Sequence, residues 1–404
     1  MGSVRSSRLA FLAAAAMLGF VGDGRGQEPP KTLGAIQKEH ELADATARRR
    51  AERAKTDAEL KAATDAIWTE TKKAAADAFA WAEAHPDDPK ALDAIIWTIH
   101  GLANGSYPNY LGEQAKAYRL LTVKGLDSDK VAPVCYYAGG ESVACPDARR
   151  FLEAALNKSS NRLVQGAACL GLARDYHATA QFARRVKDDL TRGPLVEHWK
   201  GTGVVERAEK IDPDESDRKA APYYERLAKE FGDLKMPQPY NQVPFAELAK
   251  GELYEMENLA IGKVLPDLEG EDVRGTKIRP ADYRGKVVAV DFWATWCGPC
   301  MGLVPHHRAL VKRLKGKPFV LLGVNGDDDR DQAAKAMAAE GMTWPSIWNG
   351  GQTGGVVAKF GVRSWPTLYL IDAEGVIRYR NIYFATLDKA VDKLVAEAVA
   401  KKKP

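Results

Sequence analysis

The sequence predicts a two-part fold, an all-helical N-terminal array followed by an α/β domain. Up to about residue 257, apolar residues recur at helical spacing in segments separated by turns rich in Gly, Pro, Asp or Ser. After residue 260, short continuous apolar runs alternate with helical stretches. This second pattern is typical of a sheet covered by helices on both faces. The 404 residues suffice for about two or three domains of ordinary size.

Residues 1–26 predict a signal peptide. Arg5 and Arg8 precede an uncharged apolar run, Leu9 to Val21, which has the length of a signal-peptide core and is short for a bilayer span. The small residues Gly24 and Gly26 favour cleavage before Gln27. We therefore expect export to the periplasm or another extracytoplasmic space, with no membrane span after cleavage. An uncleaved N-terminal membrane anchor is the competing interpretation.

The helical domain is expected to cover residues 27–257. Its first stretch, 33–80, is rich in Ala, Glu, Lys and Arg, which favours one long helix. The later segments suggest stacked antiparallel helix pairs without a strict repeat. Further helices are predicted at 90–103, 112–124, 146–157, 160–173, 177–190, 218–231 and 245–256.

The α/β domain is expected to cover residues 258–404. Its apolar runs predict buried central strands, because a strand covered on both faces is apolar throughout. The region 268–278 is expected to form an additional hairpin. Strands are predicted at 286–292, 319–324, 367–371 and 376–379, and helices at 298–315, 329–340, 355–360 and 386–400.

Charge and cysteine content narrow the function. The formal net charge is +4, from 58 basic and 54 acidic residues, which is too balanced to indicate a nucleic-acid partner. Five cysteines are present, and an exported protein would hold them in an oxidising compartment. Cys135 and Cys145 bracket a loop-like stretch and are either a structural disulfide or two separate buried thiols. Cys169 lies in an apolar helical run and is expected to be a core residue.

The most informative feature is a Cys-Gly-Pro-Cys segment, Cys297 to Cys300, between a buried strand and a helix. Two cysteines at this spacing can close a disulfide ring. The leading sulfur would lie where unpaired helix N–H groups and the helix dipole favour negative charge. Since the thiolate is the reactive form, this position predicts a reactive Cys297, with Cys300 shielded one turn into the helix.

The ten-residue segment from Asp291, Asp-Phe-Trp-Ala-Thr-Trp-Cys-Gly-Pro-Cys, closely resembles the thioredoxin superfamily. Together with the entry segment 266–288, it looks like the TlpA/ResA redoxin branch, over about residues 261–400. The resemblance implies a thioredoxin fold and a redox-active disulfide between Cys297, the attacking nucleophile, and Cys300, the resolving thiol. It also implies that Asp291 takes the proton of Cys300, and it implies no cofactor.

The resemblance extends to the expected client-binding residues, Trp296, Trp365 and Pro366, the last of which matches the cis-proline of the family. Three departures are notable. Leu303 stands where many relatives carry a glutamate, the strand 319–324 has no lysine, and Trp365 is larger than the usual residue before that proline. These departures concern redox potential and substrate choice.

Other interpretations of these residues are weaker. A zinc site would need two more ligands than the cysteine pair supplies, so no metal is predicted, and His306 and His307 are interpreted as exposed helix residues. A peroxiredoxin is not indicated because Ala294 stands where the activating threonine would be. The acids Asp327 to Asp329 are better explained as caps of the next helix than as a calcium loop.

Two functions follow. The chain is predicted to be an exported thiol–disulfide oxidoreductase, with a disulfide-containing client protein and a thiol electron donor as partners. The alternative is a helical protein-binding module whose thioredoxin-like domain senses redox state. The direction of electron flow and the oligomeric state stay open.

Overall fold

A computed structural model describes residues 31–54, 56–103, 111–237, 242–352, 355–362 and 364–401. The predicted signal peptide, residues 1–26, lies outside these residues. The structure has the predicted architecture, a helical N-terminal region followed by a mixed sheet with helices on both faces. In the described part of the chain, none of the helices is long and apolar enough to cross a membrane.

The helical region is an array in which neighbouring helices pack on one another, with α7 at its centre against α5, α6, α8, α9, α10 and α11. A continuous apolar core runs through most of the array. Its helices are α1 (Leu33–Arg53), α2 (Asp57–Ala84), α3 (Ala91–Ala103), α4 (Leu111–Val123), α5 (Val131–Tyr137), α6 (Pro146–Lys158), α7 (Arg162–Lys187), α8 (Asp189–His198), α9 (Val204–Glu209), α10 (Pro213–Phe231) and α11 (Phe245–Asn258).

The prediction of a single long helix over 33–80 is wrong, because this stretch forms two helices, α1 and α2. The chain becomes extended at Ala54, and α2 begins afresh and packs against α1. Thr56 and Glu59 form a capping box, each side chain accepting a backbone N–H of the other at 3.2 Å. Such a box satisfies N–H groups that a helix start leaves unpaired, and it therefore fixes the break.

The opposite error occurs in α7, which is one helix where two were predicted, at 160–173 and 177–190. The polar residues between them are interpreted as a turn, but Asp175 is fully buried inside the helix. Its carboxylate accepts from the Ser142 hydroxyl at 2.7 Å and from Arg149 at 2.6 Å. A tertiary network thus satisfies the acid, so the helix continues. Helices α5, α8 and α9 were not predicted.

The predicted alternative of a Cys135–Cys145 disulfide is not formed, and the two residues are separate buried thiols. Hydrogen bonds hold the loop between them instead. The Glu141 carboxylate accepts from the Tyr118 hydroxyl at 2.6 Å and from the Gln114 amide at 2.7 Å. Burial raises the pKa of Glu141 to about 7 and that of Cys145 to about 11.

The C-terminal region contains a five-stranded sheet of order β5-β4-β3-β6-β7 and a small β1–β2 hairpin. Strand β3 pairs in parallel with β4 and antiparallel with β6, and all of its residues are buried, as predicted for a central strand. Strand β5 was not predicted. The elements are β1 (Gly270–Glu271), β2 (Lys277–Ile278), β3 (Val287–Trp293), α12 (Gly298–Arg313), β4 (Phe319–Asn325), α13 (Arg330–Ala339), β5 (Ser346–Trp348), α14 (Gly355–Lys359), β6 (Thr367–Ile371), β7 (Ile377–Arg380) and α15 (Phe384–Lys401).

Alternation along β3 assigns its side chains to two cores. Val287, Ala289 and Trp293 share a core with residues of α12, α13 and α15. The intervening side chains pack with α14 on the other face. Because side chains alternate across a strand, Asp291 lies on the α12 face.

Helix α11 contacts both regions. Glu252 accepts from Arg174 of α7 at 2.6 Å and from the Tyr224 hydroxyl of α10 at 2.9 Å. One turn further on, Glu255 is ion-paired with Arg380 of β7. Helix α8 also packs against α15. The helical region and the sheet are therefore joined through side chains as well as through the chain. The domain boundary at 257/258 stays a prediction.

Candidate active site

The cysteine pair lies between β3 and α12. Cys297 is the N-cap residue of α12, and its sulfur accepts the backbone N–H of Cys300 at 3.1 Å. The two sulfurs are joined by a disulfide with an S–S distance of 1.98 Å. Both residues are buried, with Cys297 5 % exposed.

This placement has an electrostatic consequence for the reduced pair. The first N–H groups of a helix have no intrahelical partner and carry partial positive charge. A sulfur that accepts one of them is stabilised as thiolate, the form that attacks a disulfide. Among the residues that the structure describes, no group of three or more His, Cys, Asp or Glu could hold a metal ion.

Asp291 is buried on β3, between Gly323 of β4 and Leu368 of β6. It is 3 % exposed, and its Oδ1 atom has no hydrogen-bond partner. Burial raises the pKa of this carboxyl to about 7, because the charged form loses its hydration. A carboxyl with this pKa can hold or release a proton near neutral pH.

The expectation that His306 and His307 are exposed is wrong. His307 is 1 % exposed, and its Nδ1 atom lies 3.5 Å from Oδ2 of Asp291. Burial, together with the neighbouring His306, lowers its pKa to about 4. His306 is partly buried and lies 3.1 Å from Asp388 of α15. A sequence signal existed, since His307 follows Cys300 by seven residues, two helical turns, on the face that packs against the sheet.

The predicted client-binding residues lie on two loops that meet beside the cysteines. The Trp365–Pro366 bond is cis, as the resemblance implies. The rings of Trp296 and Trp365 form an edge-to-face pair with centroids 5.4 Å apart, and Trp296 is 48 % exposed. The ring of Trp365 also lies on the backbone of Gly326, where an added Cβ would be 2.3 Å from it.

Two further residues that sequence reasoning missed support these loops. The Tyr383 hydroxyl donates to the carbonyl oxygen of Pro366 at 3.0 Å. Asp327 is buried, and its carboxylate accepts from the backbone N–H of Thr295 at 3.1 Å and from its hydroxyl at 2.8 Å. Of the predicted caps, Asp329 does cap α13. Asp327 instead holds the segment just before the cysteines.

The sheet, the cysteine bridge at a helix N-terminus and the cis-proline loop define a thioredoxin-like redox domain. The family model described as the AhpC/TSA family matches residues 261–380. The chain is 30% identical over 130 residues to thiol-disulfide oxidoreductase ResA of Bacillus anthracis, covering 32% of this chain and 74% of that protein. It is 32% identical over 141 residues to ResA of Geobacillus thermodenitrificans, covering 35% and 79%.

A solved thioredoxin domain of a thiol-disulfide oxidoreductase from Bacteroides vulgatus is 28% identical, with a TM-score of 0.32, and covers 34% of this chain and 99% of that one. The similarity to these ResA proteins shows that the chain belongs, through its C-terminal region, to the ResA family of thiol-disulfide oxidoreductases. The chain therefore has thiol–disulfide oxidoreductase activity.

Proposed function

We propose that this protein is an exported enzyme that exchanges disulfides with client proteins through Cys297 and Cys300. The observation that carries the proposal is the bridged pair at the N-terminus of α12, with the leading sulfur accepting a helix N–H. Export is inferred from the charged start and apolar core of residues 1–26. Cleavage before Gln27 would be seen by N-terminal sequencing of the mature protein.

In the reducing direction, the Cys297 thiolate attacks one sulfur of a client disulfide. The second client sulfur leaves as a thiolate and takes up a proton. The Cys300 thiol then gives its proton to the Asp291 carboxylate and attacks the Cys297 sulfur, so that the first client sulfur leaves as a thiolate. Two electrons pass from the cysteine pair to the client, and a thiol electron donor restores the pair.

The environment of Asp291 supports its part in this sequence. Its raised pKa, about 7, allows it to take a proton from a thiol and return it at neutral pH, which a carboxyl of ordinary pKa does poorly. Its position on the α12 face of β3 directs it toward the layer that contains Cys300.

Client binding is assigned to Trp296, Trp365 and Pro366. The exposed half of Trp296 and the adjoining ring of Trp365 offer an apolar surface beside a sulfur that is itself almost covered. A client that covers these rings would exclude water from the exchanging sulfurs. Trp365→Ala is expected to raise KM for an oxidised protein client more than for a small disulfide.

Trapping tests the roles of the two cysteines. Cys300→Ser should accumulate a covalent complex with client, because the mixed disulfide cannot be resolved, whereas Cys297→Ser should form none. The reverse result would overturn the assignment. A measured reduction potential of the pair, compared with that of the compartment, gives the direction of electron flow.

The alternative, a helical binding module with a redox sensor, is favoured by one observation, the joint contacts of α11 with both regions. An insulin-reduction assay on the full chain and on residues 258–404 separates the two, with thermal unfolding as a check that the fragment folds. Full activity of a folded fragment supports the oxidoreductase function and argues against the binding-module alternative. Loss of activity in a folded fragment supports coupling to the helical region.

A further inference from the structure

The buried pair of Asp291 and His307 has chemistry that the proposed exchange reaction does not yet use. The strand β4, which borders Asp291, carries no lysine. Within the described ranges, His307 is the one basic side chain at ion-pair distance from the Asp291 carboxylate. The pair lies on the face of β3 that packs against α12, in the same layer as Cys300.

The unpartnered atoms indicate how the two groups interact. Oδ1 of Asp291 and Nε2 of His307 are both buried without a hydrogen-bond partner. Oδ2 of Asp291 and Nδ1 of His307 lie 3.5 Å apart, and this polar contact can offset part of the cost of burying the two side chains. A neutral imidazole carries one N–H, and placing it on Nδ1 directs it to the carboxylate.

The strand neighbours of Asp291 and the nearby Tyr383 hydroxyl carry no charge. The residues that pair with Asp291 on β4 and β6, Gly323 and Leu368, are uncharged. The Tyr383 hydroxyl is neutral, since burial first and the Asp291 charge second raise its pKa to about 12. His306 faces His307 and Asp388 of α15, and the Trp344 ring closes the other side of His307.

We propose that His307 is a positioning residue, which donates its Nδ1–H to the ionised Asp291 and so sets the pH above which Asp291 accepts the Cys300 proton. The inference rests on the proposed function. In the resolution step the proton moves from Cys300 sulfur to an Asp291 oxygen, and the imidazole remains neutral with its own proton retained. A hydrogen bond to the charged form favours that form. Loss of His307 therefore makes Asp291 a proton acceptor only at higher pH.

The test follows the resolution step on the full-length enzyme. A mixed disulfide between Cys297 and a thiol reporter is formed, and the rate of reporter release by Cys300 is measured from about pH 5 to about pH 9. His307→Leu is expected to move the midpoint of this profile up by about one pH unit. The rate at neutral pH would then fall up to about tenfold, since one unit corresponds to a tenfold change in the ionised fraction.

Conservative variants separate hydrogen bonding from packing. His307→Asn places an amide N–H near the Nδ1 position and should restore most of the wild-type midpoint. His307→Gln places it near the Nε2 position and should not. This comparison also tests the proposal if the leucine variant does not fold. His306→Leu, which alters the neighbouring residue on the helix, is the matched control and should leave the midpoint unchanged.

Asp291→Asn distinguishes failure of the inference from failure of the proposed function. If Asp291→Asn keeps the wild-type profile, Asp291 is not the proton acceptor, and the role of His307 falls with it. The proposed function itself fails only if the reporter is not released through Cys300 at any pH. If Asp291→Asn abolishes the ascending limb while the His307 variants keep the wild-type midpoint, only the role of His307 is overturned. In the Asp291→Asn background, His307→Leu should have no additional effect on the profile.

Discussion

Replacing Asp291 by asparagine should change how the stability of the oxidised protein depends on pH. Burial raises the pKa of this carboxyl from 3.8 to about 7. Between these two values the folded protein holds a proton that the unfolded chain has released. The stability associated with Asp291 is therefore fully present below about pH 4 and is lost as the pH rises to about 7. At about 1.4 kcal/mol per pKa unit, the loss is about 4 kcal/mol.

His307 acts in the opposite direction over nearly the same range. Its pKa falls from 6.5 to about 4 in the folded protein, chiefly through burial. Between these values the unfolded chain binds the proton and the folded protein does not. Stability from this group is therefore present above pH 6.5 and is lost as the pH falls to about 4, by about 3 kcal/mol. In the wild type the two contributions largely cancel.

The Asp291→Asn variant removes the contribution of the Asp291 carboxyl and retains that of His307. The free energy of unfolding of the variant, relative to that of the wild type, is expected to rise by about 4 kcal/mol from about pH 4 to about pH 7.5. This difference removes the contributions of the other titrating groups, which the two proteins share. Asparagine keeps the shape of the side chain, so packing is a constant offset.

Urea unfolding of the disulfide-bonded protein at fixed ionic strength measures the difference. Amide hydrogen exchange in β3 provides a local readout, because a chain with two packed regions can unfold in more than one step. His307→Leu is the complementary variant, and its free energy of unfolding, relative to that of the wild type, should fall as the pH rises over the same range. A difference between Asp291→Asn and wild type that stays constant within about 1 kcal/mol from pH 4 to 8 would refute the reasoning.

Three further predictions concern the support of the site. Asp327→Ala removes the acceptor for the backbone N–H and the hydroxyl of Thr295. It should lower the free energy of unfolding, measured by thermal unfolding, by about 2–3 kcal/mol and slow insulin reduction. Unchanged stability and rate would contradict the supporting role of Asp327. Gly326→Ala places a methyl group 2.3 Å from the Trp365 ring, so the ring must move. The variant should show shifted tryptophan fluorescence and a KM for a protein client that is raised severalfold. An unchanged KM would argue against client binding at Trp365. Glu255→Ala leaves the partly buried guanidinium of its partner on β7 without this counter-charge and should lower the free energy of unfolding by about 1–3 kcal/mol. The reduction potential of the cysteine pair should stay unchanged, and a shift in it would contradict a purely structural role.

Much of the C-terminal fold could be predicted from sequence because three of the five strands of its main sheet, β3, β4 and β6, are apolar runs; the three-residue β5 is too short to give this signal. A short, valine-rich apolar run such as β3 favours a strand in a sheet interior over a buried helix. Its predicted bounds differ from the observed ones by one residue. The helical region was harder. The continuation of α7 through Asp175 depends on a partner 33 residues away along the chain, Ser142, and local composition does not contain that information. The break before α2 has a local signal, the capping box of Thr56 and Glu59, which a prediction from composition alone overlooks.

The residues of the site also fall into those that a local motif predicts and those that depend on contacts between distant elements. The roles expected of the two cysteines follow from a local motif, and the bridge and the cis-proline bond expected from the resemblance are present. His307 and Asp327 were misinterpreted because each acts across elements. A histidine next to another histidine looks exposed until the rotation of α12 against the sheet is known, and an acid in a run of acids looks like a helix cap.

The position of α11 has a consequence for any rearrangement of the two regions. Glu252 and Glu255 are three residues apart, and each is bound to a different region. One residue inserted between them would turn the later carboxylate by about 100° and advance it by about 1.5 Å, so only one of the two contacts could persist. The phase of α11, together with the contact between α8 and α15, therefore constrains the orientation of the disulfide relative to the helical array.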